Sequence, residues 1–123
     1  MNQLINIAIE EAKKSEFAYT NGSKFHLGAV VLKNKRIIGK GCNQKLTNNI
    51  SKVFGYKNGL HAELLALFRA RFEGDTIIVV RLLKNNNLSM SFPCKRCFDL
   101  IKKSGIKTVI FSDWEGNIQK IKI

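Results

Sequence analysis

One proline, three cysteines, two histidines and one tryptophan are all that 123 residues hold of those types. Each scarcity excludes something. A lone proline leaves no proline-rich linker or recognition segment, so residues 1–123 read as a single domain around one core, for which a 45% hydrophobic share is sufficient. Three cysteines are too few for a disulfide framework and point to a reducing compartment, with the cytoplasm as the expected location. No apolar run approaches the roughly 20 residues that cross a bilayer, and Met1 to Glu10 lacks the basic start and small-residue cleavage site of a signal peptide. No membrane partner is expected. Acidic residues are short as well: 9 Asp and Glu face 21 Lys and Arg, a net charge of +12. Such an excess draws phosphate-bearing partners, whether nucleotides or polynucleotides. A lysine-rich solvated surface is the plainer reading of the same count.

The scarce residues are clustered. His61-Ala62-Glu63 carries one of the histidines, and Pro93-Cys94-Lys95-Arg96-Cys97 collects the proline with two of the cysteines. If position 94 opens a helix, thiolates three residues apart reach one metal from the same end, and the helix amides favour the thiolate form. His61, Cys94 and Cys97 are then the three protein ligands of an open zinc site, with the fourth position left to water. A structural site would need a fourth ligand, and Cys42 and His26 are the only other thiol and imidazole. Glu63, two residues after His61, falls beside the metal, where it can move protons without ligating.

These two motifs, at this separation, resemble the zinc motifs of the cytidine and deoxycytidylate deaminase superfamily. The resemblance covers most of the chain. It implies a three-layer α-β-α fold around a five-stranded mixed sheet whose last hairpin is antiparallel, a zinc cofactor, and hydrolytic conversion of cytosine to uracil with Glu63 as the proton carrier. It also implies substrate contacts. Gly28-Ala29-Val30 corresponds to a run whose backbone lies against the base, and Asn43 to an asparagine that bonds the sugar, its amide both donating and accepting. His26 stands where many members have proline and reads as a pocket-edge or surface residue, a substrate contact or, least of all, a ligand. Ser91-Phe92 precedes Pro93 where transfer-RNA adenosine deaminases carry Glu, which speaks against an adenosine substrate.

Along the chain, Leu4, Ile5, Ala8, Ile9 and Ala12 are spaced for a first helix over 2–16. Phe25 to Leu32, an Asn34-Lys35 turn and Arg36 to Lys40 predict a hairpin. Cys42 reads as a small buried side chain. A long connection, 44–60, interleaves Lys45, Lys52 and Lys57 with Phe54 and Tyr56, either as a stacking groove for single-stranded nucleic acid or as a loop packed on the domain. His61 opens a helix whose apolar run extends to Phe72. Asp75 to Leu83 is β-branched enough for the sheet centre. Cys94 to Lys103 forms the next helix, stopped by Gly105, and Lys107 to Phe111 and Ile118 to Ile121 pair antiparallel because so short a link cannot cross over. Such a direct return resembles free-cytidine deaminases more than polynucleotide ones. Phe92 lines the pocket or fills the core; Trp114 stacks on a base or packs. Charge, the basic loop and Trp114 make cytosine in single-stranded DNA or another polynucleotide, RNA included, the first expectation. Free cytidine, deoxycytidine or dCMP is the alternative, with adenosine or guanine behind it. Oligomeric state is not legible in the pattern.

Overall fold

The computed structural model describes residues 2–15, 26–44, 53 and 60–123. Among these, helix α1 (Asn2–Lys13) precedes strands β1 (His26–Lys33) and β2 (Arg36–Cys42). Helix α2 (Ala62–Arg69), β3 (Thr76–Leu82), the two-residue β4 (Leu88–Ser89), α3 (Lys95–Lys103), β5 (Thr108–Ser112) and β6 (Ile118–Lys122) follow. The main sheet runs β2-β1-β3-β5-β6, with β4 pairing off this path along β3. β1 is antiparallel to both β2 and β3, β3 is parallel to β5, and β5 to β6 is antiparallel. The five-stranded mixed sheet, its central β-branched strand and its antiparallel last hairpin are thus as expected, and β4 is an addition. The β1–β2 turn places Asn34 and Lys35 at φ of 50° and 67°, the left-handed pair that a two-residue hairpin turn needs.

Strand alternation divides the core between the two faces. Val30, Leu32, Ile78, Val80 and Ile110 pack against Ile5, Ala8 and Ala12 of α1. Ala29, Val31, Ile77, Val79 and Val109 pack against Ala62 and Ala66 of α2, Ala70 just beyond its end, and Ile101 of α3. This gives the three layers, with α1 on one face and α2 and α3 on the other. Helices seat this closely only where side chains are missing. A Cβ on Gly28 would lie 2.2 Å from the carbonyl oxygen of Ala8 in α1, and one on Gly41 2.8 Å from the backbone nitrogen of Ala66 in α2. Both contacts are to backbone, which cannot rotate away. Gly28→Ala should therefore destabilise the chain by roughly 1–3 kcal/mol, read as a lower urea midpoint at constant slope; an unchanged midpoint would refute this account of α1 seating.

Helix α2 ends earlier than its apolar run suggests. Phe72 was expected on the helix, but the helix stops at Arg69, and Arg71 and Phe72 turn left-handed at φ of 58° and 56°. Their amides bond back to Phe68 and Leu67, satisfying the last carbonyls of the helix. The reversal brings Phe72 edge-on to Phe68, ring centroids 6.2 Å apart. At the same end, Arg69 Nη1 donates to the Lys40 carbonyl at 3.0 Å, tying α2 to β2.

Candidate metal centre and active site

Two helix N-termini meet at one end of the sheet. His61 is the N-cap of α2, extended at φ −76° and ψ 146°, and Cys94 is the N-cap of α3, at φ −63° and ψ 164°. An N-cap residue stands outside the helical backbone while its carbonyl already accepts the first helical bond. Leu65 N donates to His61 O at 3.1 Å, and Phe98 N to Cys94 O at 2.8 Å. Pro93 just ahead of Cys94 has no amide to leave unsatisfied there. Cys97, inside the first turn of α3, is fully buried against Leu60, Leu64 and Leu65.

His61 Nδ1 lies 3.4 Å from Cys97 Sγ and 3.8 Å from Cys94 Sγ, and the three donor atoms all fall within 4.8 Å of one another. Tetrahedral zinc, with bonds of about 2.3 Å to sulfur and 2.0–2.1 Å to nitrogen, separates N and S ligands by roughly 3.6 Å. The donor set fits that ion. The electrostatics agree. Hydrogen bonding to the Cys97 thiol and then to His61 lowers the Cys94 pKa to about 3, so this sulfur is a thiolate at neutral pH. Burial of His61 opposes its charged form, yet the Cys94 sulfur and the Glu63 carboxylate outweigh it and hold its pKa above the usual value.

Glu63 is 5% exposed. Burial drives its pKa up, against the pull of its own backbone N–H, the His61 charge and a hydrogen bond from the Cys97 thiol. It stands outside the three-donor cluster.

The remaining expected site residues are distributed around this centre. Asn43 is buried directly after β2, and its Oδ1 accepts from Leu27 N at 2.9 Å and from the Ser15 hydroxyl. Ser15 also donates to the Asn43 carbonyl at 2.9 Å, so Asn43 ties the end of α1 to the start of β1. Gly28 turns its bare face to α1, whereas Ala29 lies on the α2 face. His26 shares the α1 face with Gly28 by alternation and lines a cleft with Lys13, Leu82 and Lys84, across the sheet from the metal ligands. Phe92 packs on Phe98 and Phe111 at centroid distances of 5.2 and 5.1 Å while remaining partly exposed. Trp114 is 71% exposed. The turn that carries it is fixed by Asp113, whose Oδ1 accepts from Glu115 N and Asn117 N and whose Oδ2 accepts from Gln119 Nε2. Cys42 is buried, as expected, and outside the donor cluster. Lys45, Lys52, Phe54, Tyr56 and Lys57 lie outside the described residues.

A serine network that sequence reasoning passed over holds the Cys94 segment in place. Ser91 Oγ donates to Val79 O at 2.6 Å and accepts from Ser112 N at 2.8 Å, and Ser112 Oγ donates to Ser89 O at 2.6 Å. Both serines are buried. The only sequence signal was a pair of small polar residues flanking apolar positions near Pro93 and at the end of β5.

Comparison with known proteins gives one consistent picture. Residues 1–113 match the family described as the cytidine and deoxycytidylate deaminase zinc-binding region. A diaminohydroxyphosphoribosylamino-pyrimidine deaminase from Buchnera aphidicola is 34% identical over 112 residues, covering 89% of this chain. This chain spans 65% of the length of that curated relative. Among solved structures, a cytidine deaminase from Burkholderia pseudomallei superposes with a TM-score of 0.72 at 23% identity, covering 98% of this chain and 91% of that one. That likeness is one of fold. The diaminohydroxyphosphoribosylaminopyrimidine deaminase/5-amino-6-(5-phosphoribosylamino)uracil reductase from Thermotoga maritima superposes with a TM-score of 0.59 at 30% identity, covering 90% of this chain and 29% of that one.

Proposed function

The chain belongs to the cytidine and deoxycytidylate deaminase family, and from that premise we propose that it is a zinc-dependent hydrolytic deaminase converting a cytosine ring to uracil on a free nucleoside or nucleotide. The observation that carries the chemistry is the His61–Cys94–Cys97 donor set with a buried carboxyl, Glu63, next to it but outside it. When bound there, zinc supplies a water acidic enough to act near neutral pH, its pKa falling from 15.7 toward about 7. With zinc held by His61, Cys94 and Cys97, Glu63 would carry the two protons of the attacking water in turn, the first to the ring nitrogen and the second to the departing amine. The exocyclic C4–N bond breaks, a C4–O bond forms, and the products are the uracil-bearing nucleoside or nucleotide and ammonia. A raised pKa suits the cycle, because the group must both accept and donate near neutrality.

The sheet bears on the size of the substrate. β6 returns antiparallel to β5 after a five-residue turn, the arrangement that resembles free-cytidine enzymes. The relatives at 34% and 30% identity are named for a small phosphoribosylated pyrimidine. In this reading Asn43 and the Gly28-Ala29 backbone border the sugar and base, with Phe92 and Trp114 further out. A second reading, cytosine in single-stranded DNA or RNA, is favoured by the +12 charge and by the exposure of Trp114, whose face can stack on a base. Zinc-loaded protein incubated in parallel with cytidine, dCMP and a single-stranded oligonucleotide separates the two. Ammonia with uridine or dUMP from the small molecules supports the first reading; uracil within the oligonucleotide alone replaces it with the second, and no deaminated product from any of them rejects both.

A further inference from the structure

The central strand carries one charge. β3 reads Thr76-Ile77-Ile78-Val79-Val80-Arg81-Leu82, and a cation among β-branched residues at the middle of a sheet is the kind of exception that asks for a reason. Alternation fixes its direction. Ile78, Val80 and Leu82 pack against α1, while Ile77 and Val79 pack against α2 and α3. Arg81 has the parity of Ile77 and Val79 and faces the helices that carry His61, Cys94 and Cys97. Register fixes its height. Arg81 pairs with Leu27 of β1, whose amide is held by Asn43, and with Ser89 of β4. Val79, two residues earlier, accepts the hydroxyl of Ser91, two residues ahead of Pro93. Arg81 therefore stands on the same face and at the same end of the sheet as the metal centre, one strand position beyond the segment that delivers Cys94. It is half-buried, with Nε shut off from solvent.

The planar fork of a guanidinium matches two oxygens of one phosphate, a geometry that the point charge of a lysine does not provide. Accepting the reading of the chain as a deaminase of cytosine carriers, we propose that Arg81 is a specificity-determining residue that binds a phosphate of the substrate, so that the enzyme selects a phosphorylated cytosine carrier over the neutral nucleoside. The phosphate is either the monoester of a free nucleotide or a diester of a polynucleotide backbone. Position and chemistry are the same for both.

The test is equilibrium binding to zinc-loaded protein carrying Glu63→Gln, so that ligand survives, by calorimetry with cytidine, CMP and a cytosine-centred trinucleotide without terminal phosphates. Arg81 should favour CMP or the trinucleotide over cytidine by about 10-fold or more, and the preferred ligand names monoester or diester. Arg81→Gln should bring that preference to within about 2-fold while leaving cytidine binding unchanged, and inorganic phosphate should compete only where Arg81 is present. Arg81→Lys keeps the charge without the fork and should retain part of the preference, which serves if the Gln variant fails to fold. Equal binding of all three ligands to the Arg81 protein, or an equal weakening of all three by Arg81→Gln, overturns the proposal. Phosphate preference that depends on Arg81, without turnover of any cytosine carrier by the Glu63 protein, keeps the phosphate site and rejects the cytosine reading. Turnover of cytidine and CMP with the same kcat/KM does the reverse.

Discussion

Glu63→Gln should cut turnover by about 10²–10⁴-fold and leave one zinc bound per chain. Gln matches Glu in shape, and Glu63 lies in a fully packed position, so the substitution keeps the fold and removes only the proton carrier. The three donors that fit zinc do not include Glu63, which is why metal content and turnover should separate in this variant. The Gln amide cannot accept the water proton or return it to the amine. With activity measured as ammonia release and zinc by elemental analysis, a variant that retains both metal and full turnover removes Glu63 from the chemistry. A variant that loses both makes Glu63 a ligand, against the geometry seen here.

How much of this was legible beforehand follows from what is scarce. His61, Cys94 and Cys97 were identifiable as a donor set because the chain holds only two histidines and three cysteines, and fixed spacing at two helix starts left little freedom in combining them. The strands were legible where β-branched runs met short links, as at Thr76 to Val80 and between β5 and β6. Features that depend on what lies across space were not. Phe72 looks helical by spacing, but the chain must reverse before β3, and tertiary packing outweighs the local pattern. The framework bonds of Asn43, whose Oδ1 accepts from Leu27 N and the Ser15 hydroxyl, were equally illegible. So was the close seating of α1 on Gly28, where a Cβ would meet the carbonyl oxygen of Ala8. Arg81 is the clearest case. In the sequence it is one of 21 basic residues, and only the pairing of β3 with Leu27 and Ser89 sets it apart from the solvated ones.

Cys97→Ser and His61→Ala should each lose stoichiometric zinc and with it all measurable deamination, whereas Cys42→Ala, which empties a buried position on β2, should keep both. The contrast follows from the donor cluster, which contains Cys97 and His61 and leaves Cys42 out. Removing one of three protein ligands from an open site leaves two, too few to hold the ion against water. Zinc that binds only the folded chain also stabilises it. At a free concentration 100-fold above its dissociation constant the gain is about 2.7 kcal/mol, equivalent to roughly 10 °C in Tm for a domain of this size. A chelator should remove that increment from the parent and from Cys42→Ala, and leave the two ligand variants where they already melt. Acid should do so too, and the sign can be assigned. Cys94, held down to about 3, stays a thiolate well into acid. His61 is held above its ordinary value by Cys94 and Glu63 despite its burial, so protons compete with zinc at the imidazole before they do at the Cys94 sulfur. Zinc affinity should therefore weaken as pH falls through the raised pKa of His61, while the Cys94 thiol is still ionised. Retention of zinc to pH values at which Cys94 itself protonates would show that the imidazole does not hold the metal, and His61→Ala would then keep its zinc as well.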